Sequence, residues 1–225
     1  MPHSSDNDDR PTVRPHHRRL VLVATALVVA VVVAACGGSD AASSDDSESG
    51  EFLSGYTREP VPSVAGISLP DATDGTAQPM TAEPGGLRLV YFGYTNCPDV
   101  CPTTMVDIKS ALAELPADER DRIDVDMATV DPARDVPEKI TAYVTTFVPD
   151  GRALRTEDST QLRDAADAFG ASYSVEIDAD GNVEVGHSGD IYGVDDNGDV
   201  VMQWPFGTEY PTLAKDFSQL LARQS

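Results

Sequence analysis

Basic side chains are scarce in this chain: 16 Lys and Arg face 38 Asp and Glu over 225 residues, for a formal net charge of -22 and a pI near 4.2. Nucleic-acid binding is thereby excluded, because phosphate contacts need clustered Lys and Arg. Cysteine is equally rare, and three thiols are too few for a disulfide framework. Long apolar runs are missing but for Leu20 to Ala35, 16 residues (35 minus 19) in which Thr25 is the sole polar side chain. A spanning helix needs roughly 20. What is present points to a folded protein: 40% hydrophobic residues is too apolar for a wholly disordered chain, and the length suits one domain with extra terminal segments.

The apolar run follows Arg10, Arg14, Arg18 and Arg19, so residues 1–35 read as an export signal with a basic n-region and an apolar h-region. Its end, Val33-Ala34-Ala35-Cys36, resembles the lipobox of bacterial lipoproteins, which implies lipidation of Cys36 as the mature N-terminus. Removing residues 1–35 takes away four basic and three acidic side chains, leaving 12 against 35. The acidity therefore belongs to the exported part and keeps it soluble. Residues 36–59 are expected to form the lipidated cysteine and a flexible Gly/Ser/Asp-rich linker, and residues 60–225 a folded domain. The expected location is the cell membrane, lipid-anchored on its extracytoplasmic face.

Within the domain, Leu87 to Tyr94 is a β-branched and aromatic run ending near a glycine, the pattern of a buried strand. Pro102 to Leu115 places Met105, Ile108, Leu112 and Leu115 at helical spacing, and Ile123, Val125, Met127 and Thr129 then alternate as in a strand, completing a βαβ unit. Further helices are expected after Pro137, over Leu162 to Phe169, and around Leu213 to Leu221. Short strands at 183–185, 191–194 and 200–204 are joined by turns at Asp180-Gly181 and Asn197-Gly198. The second turn is no EF-hand, since Val200 and Phe206 occupy the places of the required Gly and Glu. The fold class is α/β: a thioredoxin-like central sheet flanked by helices, with a C-terminal β-hairpin and helix.

The remaining thiols, Cys97 and Cys101, stand four apart in Tyr94-Thr95-Asn96-Cys97-Pro98-Asp99-Val100-Cys101-Pro102. In a helical turn that spacing puts both sulfurs on one face, with Pro98 tolerated in the first turn and Asn96 available as a cap. A helix N-terminus favours thiolate, so one or both cysteines should ionise readily. The pair lies at the C-terminal mouth of a strand, where open α/β sheets place ligands. Two such thiols can form a reversible disulfide or bind a soft metal such as Cu(I). His3, His16 and His17 precede the expected cleavage, leaving His187 as the one histidine of the mature domain, and two thiolates with one imidazole suit Cu(I) and serve Cu(II) as well.

Three segments in order, Tyr91 to Pro102 (YFGYTNCPDVCP), Thr129 to Asp135 (TVDPARD), and His187-Ser188 leading to Ile191-Tyr192-Gly193-Val194-Asp195, resemble the SCO/SenC family of copper-binding proteins over roughly residues 85–225. The resemblance implies a thioredoxin-like fold, membrane anchorage through the lipid, copper held by Cys97, Cys101 and His187, and its delivery to the binuclear copper centre on cytochrome c oxidase subunit II. A copper donor and a thiol reductant are implied as further partners. The same cysteines could instead serve a thiol:disulfide oxidoreductase that reduces the acceptor's cysteines. Three residues separate them, however, where ordinary thioredoxin chemistry uses two, and no peroxidatic Thr-x-x-Cys precedes Cys97.

Other residues near these motifs read as structural first. Asp131 and Arg134 suit a local ion pair in the turn before a helix, and Asp99 suits the helix dipole. Met105 follows the core phase of its helix, and Tyr192 and Trp204 are expected to pack.

Overall fold

The computed structural model describes residues 53–224. The expected signal segment, the lipidation site Cys36 and most of the linker lie outside these residues. In chain order the elements are β1 (Ser68–Pro70), β2 (Ala77–Pro79), β3 (Leu87–Gly93), α1 (Val100–Glu114), α2 (Ala117–Arg120), β4 (Ile123–Thr129), α3 (Pro137–Phe147), β5 (Arg152–Leu154), α4 (Ser159–Phe169), β6 (Tyr173–Ile177), β7 (Val183–His187), β8 (Ile191–Val194), β9 (Val200–Trp204) and α5 (Tyr210–Arg223). Among the described residues, no helix is long and apolar enough to cross a membrane.

The central sheet has the order β5-β4-β3-β8-β9. Its first three strands run parallel, with Leu87 opposite Ile123 and Gly93 opposite Thr129, while β8 and β9 are antiparallel to their neighbours. Parallel neighbours require crossovers, and α1 and α3 supply them; the antiparallel pair needs only the Asp195 to Asp199 turn, where Gly198 takes a left-handed φ of 82°. The sheet is therefore thioredoxin-like.

Every residue of β3 is buried, as its apolar run requires of a strand covered on both faces. Met105, Ile108, Ala111 and Leu112 fill one face of α1 against it, and α5 brings Leu213, Phe217, Leu220 and Leu221. Trp204 is fully buried edge-on to Phe217, and its indole N–H donates to Asp216 at 2.9 Å, so it packs as the sequence implies. Tyr192 is buried too, against Phe92 and Phe169.

Two charges in the strands are a departure from plain apolar patterning. Arg88 is 2% exposed and Asp126 is fully buried. They pair across β3 and β4 at 2.5 Å, and Arg152 of β5 donates Nε to Asp126 at 2.8 Å. Arg88 also reaches Asp124 at 2.9 Å and the Thr81 carbonyl at 2.7 Å, so each buried charge meets a charge or a hydrogen-bond partner.

The segment before β3 closes the sheet at both edges. Tyr56 and Gln203 exchange backbone hydrogen bonds of 2.9 and 2.8 Å, and Val200 donates to the Pro62 carbonyl at 2.9 Å, so residues 56–64 run along β9. On the far side, Ala72 donates to Ala153 and Arg155 to Pro70, covering β5. Covered edges cannot template pairing with another chain. Leu53 packs on the core and Ser54 N–H donates to the buried Asp216 at 2.8 Å, so the folded unit starts earlier than the residue 60 expected above, in a stretch read there as free tether. The β1–β2 ribbon, α2, β5 and β6 are elements that the sequence reading does not contain.

Candidate metal centre

β3 ends at Gly93 because the chain must turn there beneath α1. A Cβ at Gly93 would sit 3.1 Å from the Cys101 sulfur and 2.6 Å from the Tyr91 ring. Glycine thus lets the sulfur rest against the strand end. The chain then crosses from Tyr94 to Asp99 and enters α1 at Val100.

This start differs from the expected one. Cys97 and Pro98 lie before the helix, and only Cys101 stands in its first turn. Asn96 is no cap either: its side-chain oxygen accepts from Lys139 Nζ at 3.0 Å. The N-cap residue Asp99 makes no side-chain capping bond. The Cys101 backbone N–H instead donates to the Cys97 sulfur at 3.3 Å, so sulfur satisfies a first-turn donor that an oxygen usually takes.

That geometry splits the two thiols. At Cys97 burial opposes ionisation, but the Cys101 and Asp99 N–H groups, with help from Cys101 and Tyr94 side chains, prevail and lower its pKa. Cys101 is fully buried, and burial pushes its thiol up to about 12. The expectation that one or both cysteines ionise readily is met at Cys97 alone, because the Cys101 sulfur points into the interior. Both thiols are free.

His187 ends β7, opposite Tyr173 in the β6–β7 ribbon. Its Nδ1 lies 2.9 Å from the Ser188 carbonyl, which can only accept, so Nδ1 carries the proton. Nε2, the nitrogen whose lone pair is free in the neutral ring, faces the Cys101 sulfur at 3.4 Å. Tyr91 and Tyr94 press on the imidazole edge-on, with ring centroids at 6.0 and 5.7 Å, and fix its plane. A backbone carbonyl that sets the tautomer is the usual outer support of a metal-binding imidazole.

One ligand atom from each of Cys97, Cys101 and His187 lies within 4.8 Å of the others. Residues far apart in sequence thus meet at the top of β3, positioned to bind a metal ion. Two sulfurs and one imidazole nitrogen form a soft, low-coordinate donor set.

Aromatic residues wall the centre, and reasoning from sequence assigns them no part in it. The Tyr91 and Tyr143 hydroxyls are buried, and burial, then the nearby sulfurs, raises both phenols. Tyr94 is raised for the same reasons. The signal for Tyr91 and Tyr94 is placement alone: one lies near the end of β3 and the other just past it, where the chain runs on to the cysteines. Asp131 and Arg134 do form the expected ion pair, and the Arg134 guanidinium also lies 5.9 Å over the Tyr94 ring. Met105 is fully buried core. A groove of about 560 Å³ between α1 and α3, lined by Lys109, Arg120, Asp124 and Phe147 among others, shares no residue with the cluster.

Comparison with known proteins fits this arrangement. A protein of Stutzerimonas stutzeri named for copper binding is 30% identical over 133 residues, covering 58% of this chain and 65% of its own length. The chain thus spans somewhat less than two thirds of that relative. The solution structure of apo Sco1 from Thermus thermophilus superposes with a TM-score of 0.61 at 28% identity, covering 76% of this chain and 94% of that one. The structure of Bradyrhizobium japonicum ScoI with copper bound gives 0.58 at 26% identity, over 68% and 96% of the two chains. The SCO1/SenC family model matches residues 69–222, and the chain belongs to that family.

Proposed function

We propose that this protein is a copper chaperone that holds one copper ion between Cys97 Sγ, Cys101 Sγ and His187 Nε2 and hands it to the binuclear copper centre of cytochrome c oxidase subunit II. The observation that carries the reading is the convergence of those three donor atoms within 4.8 Å, with the imidazole already in the tautomer a ligand needs. Support comes from the copper named for the Stutzerimonas relative and bound in the Bradyrhizobium structure. Cys97 is half-buried, so an incoming thiolate can approach the metal from its side. Ligand exchange then moves the ion from one low-coordinate sulfur site to the next without net redox change.

The wider setting is part of the same proposal: residues 1–35 as signal, Cys36 as the lipidated N-terminus, and the acidic linker as the tether that lets the domain reach a membrane-bound acceptor. A donor of copper and a reductant for the cysteine pair complete the partners.

The thiol asymmetry favours a second role on the same atoms. Cys97 thiolate attacks an acceptor disulfide, giving a mixed disulfide and one acceptor thiolate. Cys101 then loses its proton and attacks Cys97 Sγ, releasing the second acceptor thiolate and leaving a Cys97–Cys101 disulfide. The acceptor gains two electrons and the dithiol loses them.

One variant separates the roles. His187→Ala is expected to weaken Cu(I) binding at least tenfold in chelator competition while leaving disulfide reduction nearly intact, and X-ray absorption of the loaded wild type should show two sulfurs and one nitrogen. Unchanged affinity in the variant would remove His187 from the metal site. Tight copper retention by the disulfide form would sink the dithiol model, since a disulfide offers no thiolate.

A further inference from the structure

We infer that Asp135 is a positioning residue for the metal site: through Thr95, and with Lys139 through Asn96, it sets the placement of Cys97 relative to Cys101. The inference deepens the copper reading and rests on it for its metal-binding arm. Asp135 is fully buried at the end of the Asp131–Asp135 turn that leads from β4 to α3. One carboxylate oxygen accepts from the Thr95 backbone N–H at 2.9 Å and from the Thr129 hydroxyl at 2.7 Å. The other accepts from the Thr95 hydroxyl and faces Lys139 Nζ at 3.6 Å. Its own carbonyl takes Arg155 Nε at 2.9 Å, which pins the backbone behind the side chain.

Everything this carboxylate grips in the cysteine loop lies directly ahead of Cys97. Thr95 is held at both its N–H and its hydroxyl, and Lys139, paired with Asp135, donates to the side chain of Asn96 at 3.0 Å. The two sulfurs are therefore anchored to different bodies. Cys101 is fixed by the buried face of α1, whereas Cys97 hangs from a loop held by the segment between β4 and α3. Their separation depends on both anchors. The same segment touches the third ligand as well, through Arg134 over Tyr94 and Tyr94 against His187.

A plain packing role explains this group poorly. Burying a carboxylate is costly unless it is paired and hydrogen-bonded, and an apolar residue would leave the Thr95 N–H without a partner. Asp135 touches neither sulfur nor imidazole, so its effect passes through Thr95 and Asn96.

The full chain, reduced and metal-free, is compared with Asp135→Ala, Asp135→Asn and Thr95→Val by Cu(I)-chelator competition, by equilibration of the dithiol in glutathione buffers, and by thermal unfolding. Asp135→Ala is expected to weaken Cu(I) binding at least tenfold and to change the dithiol–disulfide equilibrium constant at least tenfold, about 30 mV. Asp135→Asn, which keeps an acceptor for Thr95 but no charge for Lys139, should fall between, and Thr95→Val should move both constants in the same direction by less. Asp135→Ala folded at the assay temperature with both constants within twofold of wild type, even with a lowered unfolding midpoint, overturns the inference. If that variant does not fold, Thr95→Val decides by the same criterion. Should the wild type bind no Cu(I), the copper reading fails, while the dithiol constant still decides the role of Asp135.

Discussion

The sharpest consequence of the site geometry is that the two cysteines, four residues apart, should react as different chemical species. Cys101 has a thiol pushed up to about 12 by burial, so at pH 8 only about one in 10⁴ of its sulfurs is thiolate. Against an ordinary thiol at 9.0, that rise removes about 10³ of the thiolate, and with a Brønsted slope near 0.45 the more basic sulfur regains only about 20-fold in intrinsic nucleophilicity, so Cys101 is expected to react about 50-fold more slowly than an ordinary thiol. Its full burial slows it further. Cys97 carries no such handicap: burial opposes its ionisation, but the N–H groups that surround it prevail and lower its pKa. Brief treatment of the reduced, metal-free protein with iodoacetamide at pH 8, followed by fragment-ion mapping of the peptide that carries both cysteines, measures the difference. Comparable labelling of the two positions, or faster labelling of Cys101, would falsify the assignment of Cys97 as the exposed nucleophile and Cys101 as the resolving thiol.

Two other outcomes follow from the same physics. Copper binding must displace thiol protons, so affinity rises with pH: Cys101 sheds one at any pH well below about 12, and Cys97 adds up to a second below its own lowered value. Between pH 6 and 7 the Cu(I) dissociation constant should therefore fall ten- to 100-fold, and a pH-independent value would refute thiol ligation. Away from the site, Arg88→Met leaves the fully buried Asp126 with Arg152 as its remaining charged partner and is expected to cost about 3–5 kcal/mol in urea unfolding. A loss under about 1 kcal/mol would mean that the pair contributes little beyond its volume.

Local patterns were legible where packing is local. β4, β8 and β9 fall where alternation or apolar runs place them, and α1 and α5 follow their helical phase, because each buries one continuous stripe against the sheet. The short pieces were not legible. β5 has only three residues and gains its identity from pairing with β4 on one side and with residues 70–72 on the other. Residues 53–59 read as linker and residues 60–84 show no element in the sequence, yet together they seal both sheet edges through backbone groups, which carry no sequence signature. Arg88 and Asp126 look like surface positions until three adjacent strands bring their charges together.

The metal site divides along the same line. Cys97, Cys101 and His187 could be picked out because sulfur and imidazole are rare in this chain and their chemistry is restrictive. The sequence could not tell that the thiols would differ, since that depends on which sulfur receives the backbone N–H groups before α1 and which is turned inward beside Gly93. Nor could it reveal Asp135, whose two bonds reach Thr95 across 40 positions of chain. A parallel sheet makes this possible. Strands β3 and β4 end side by side with Gly93 opposite Thr129, so the loop that follows one can hold the loop that follows the other. The Thr129–Asp135 motif and the cysteine motif are thus neighbours in space because their strands share a register, and a ligand-bearing loop at the surface is held by a carboxylate buried beside it.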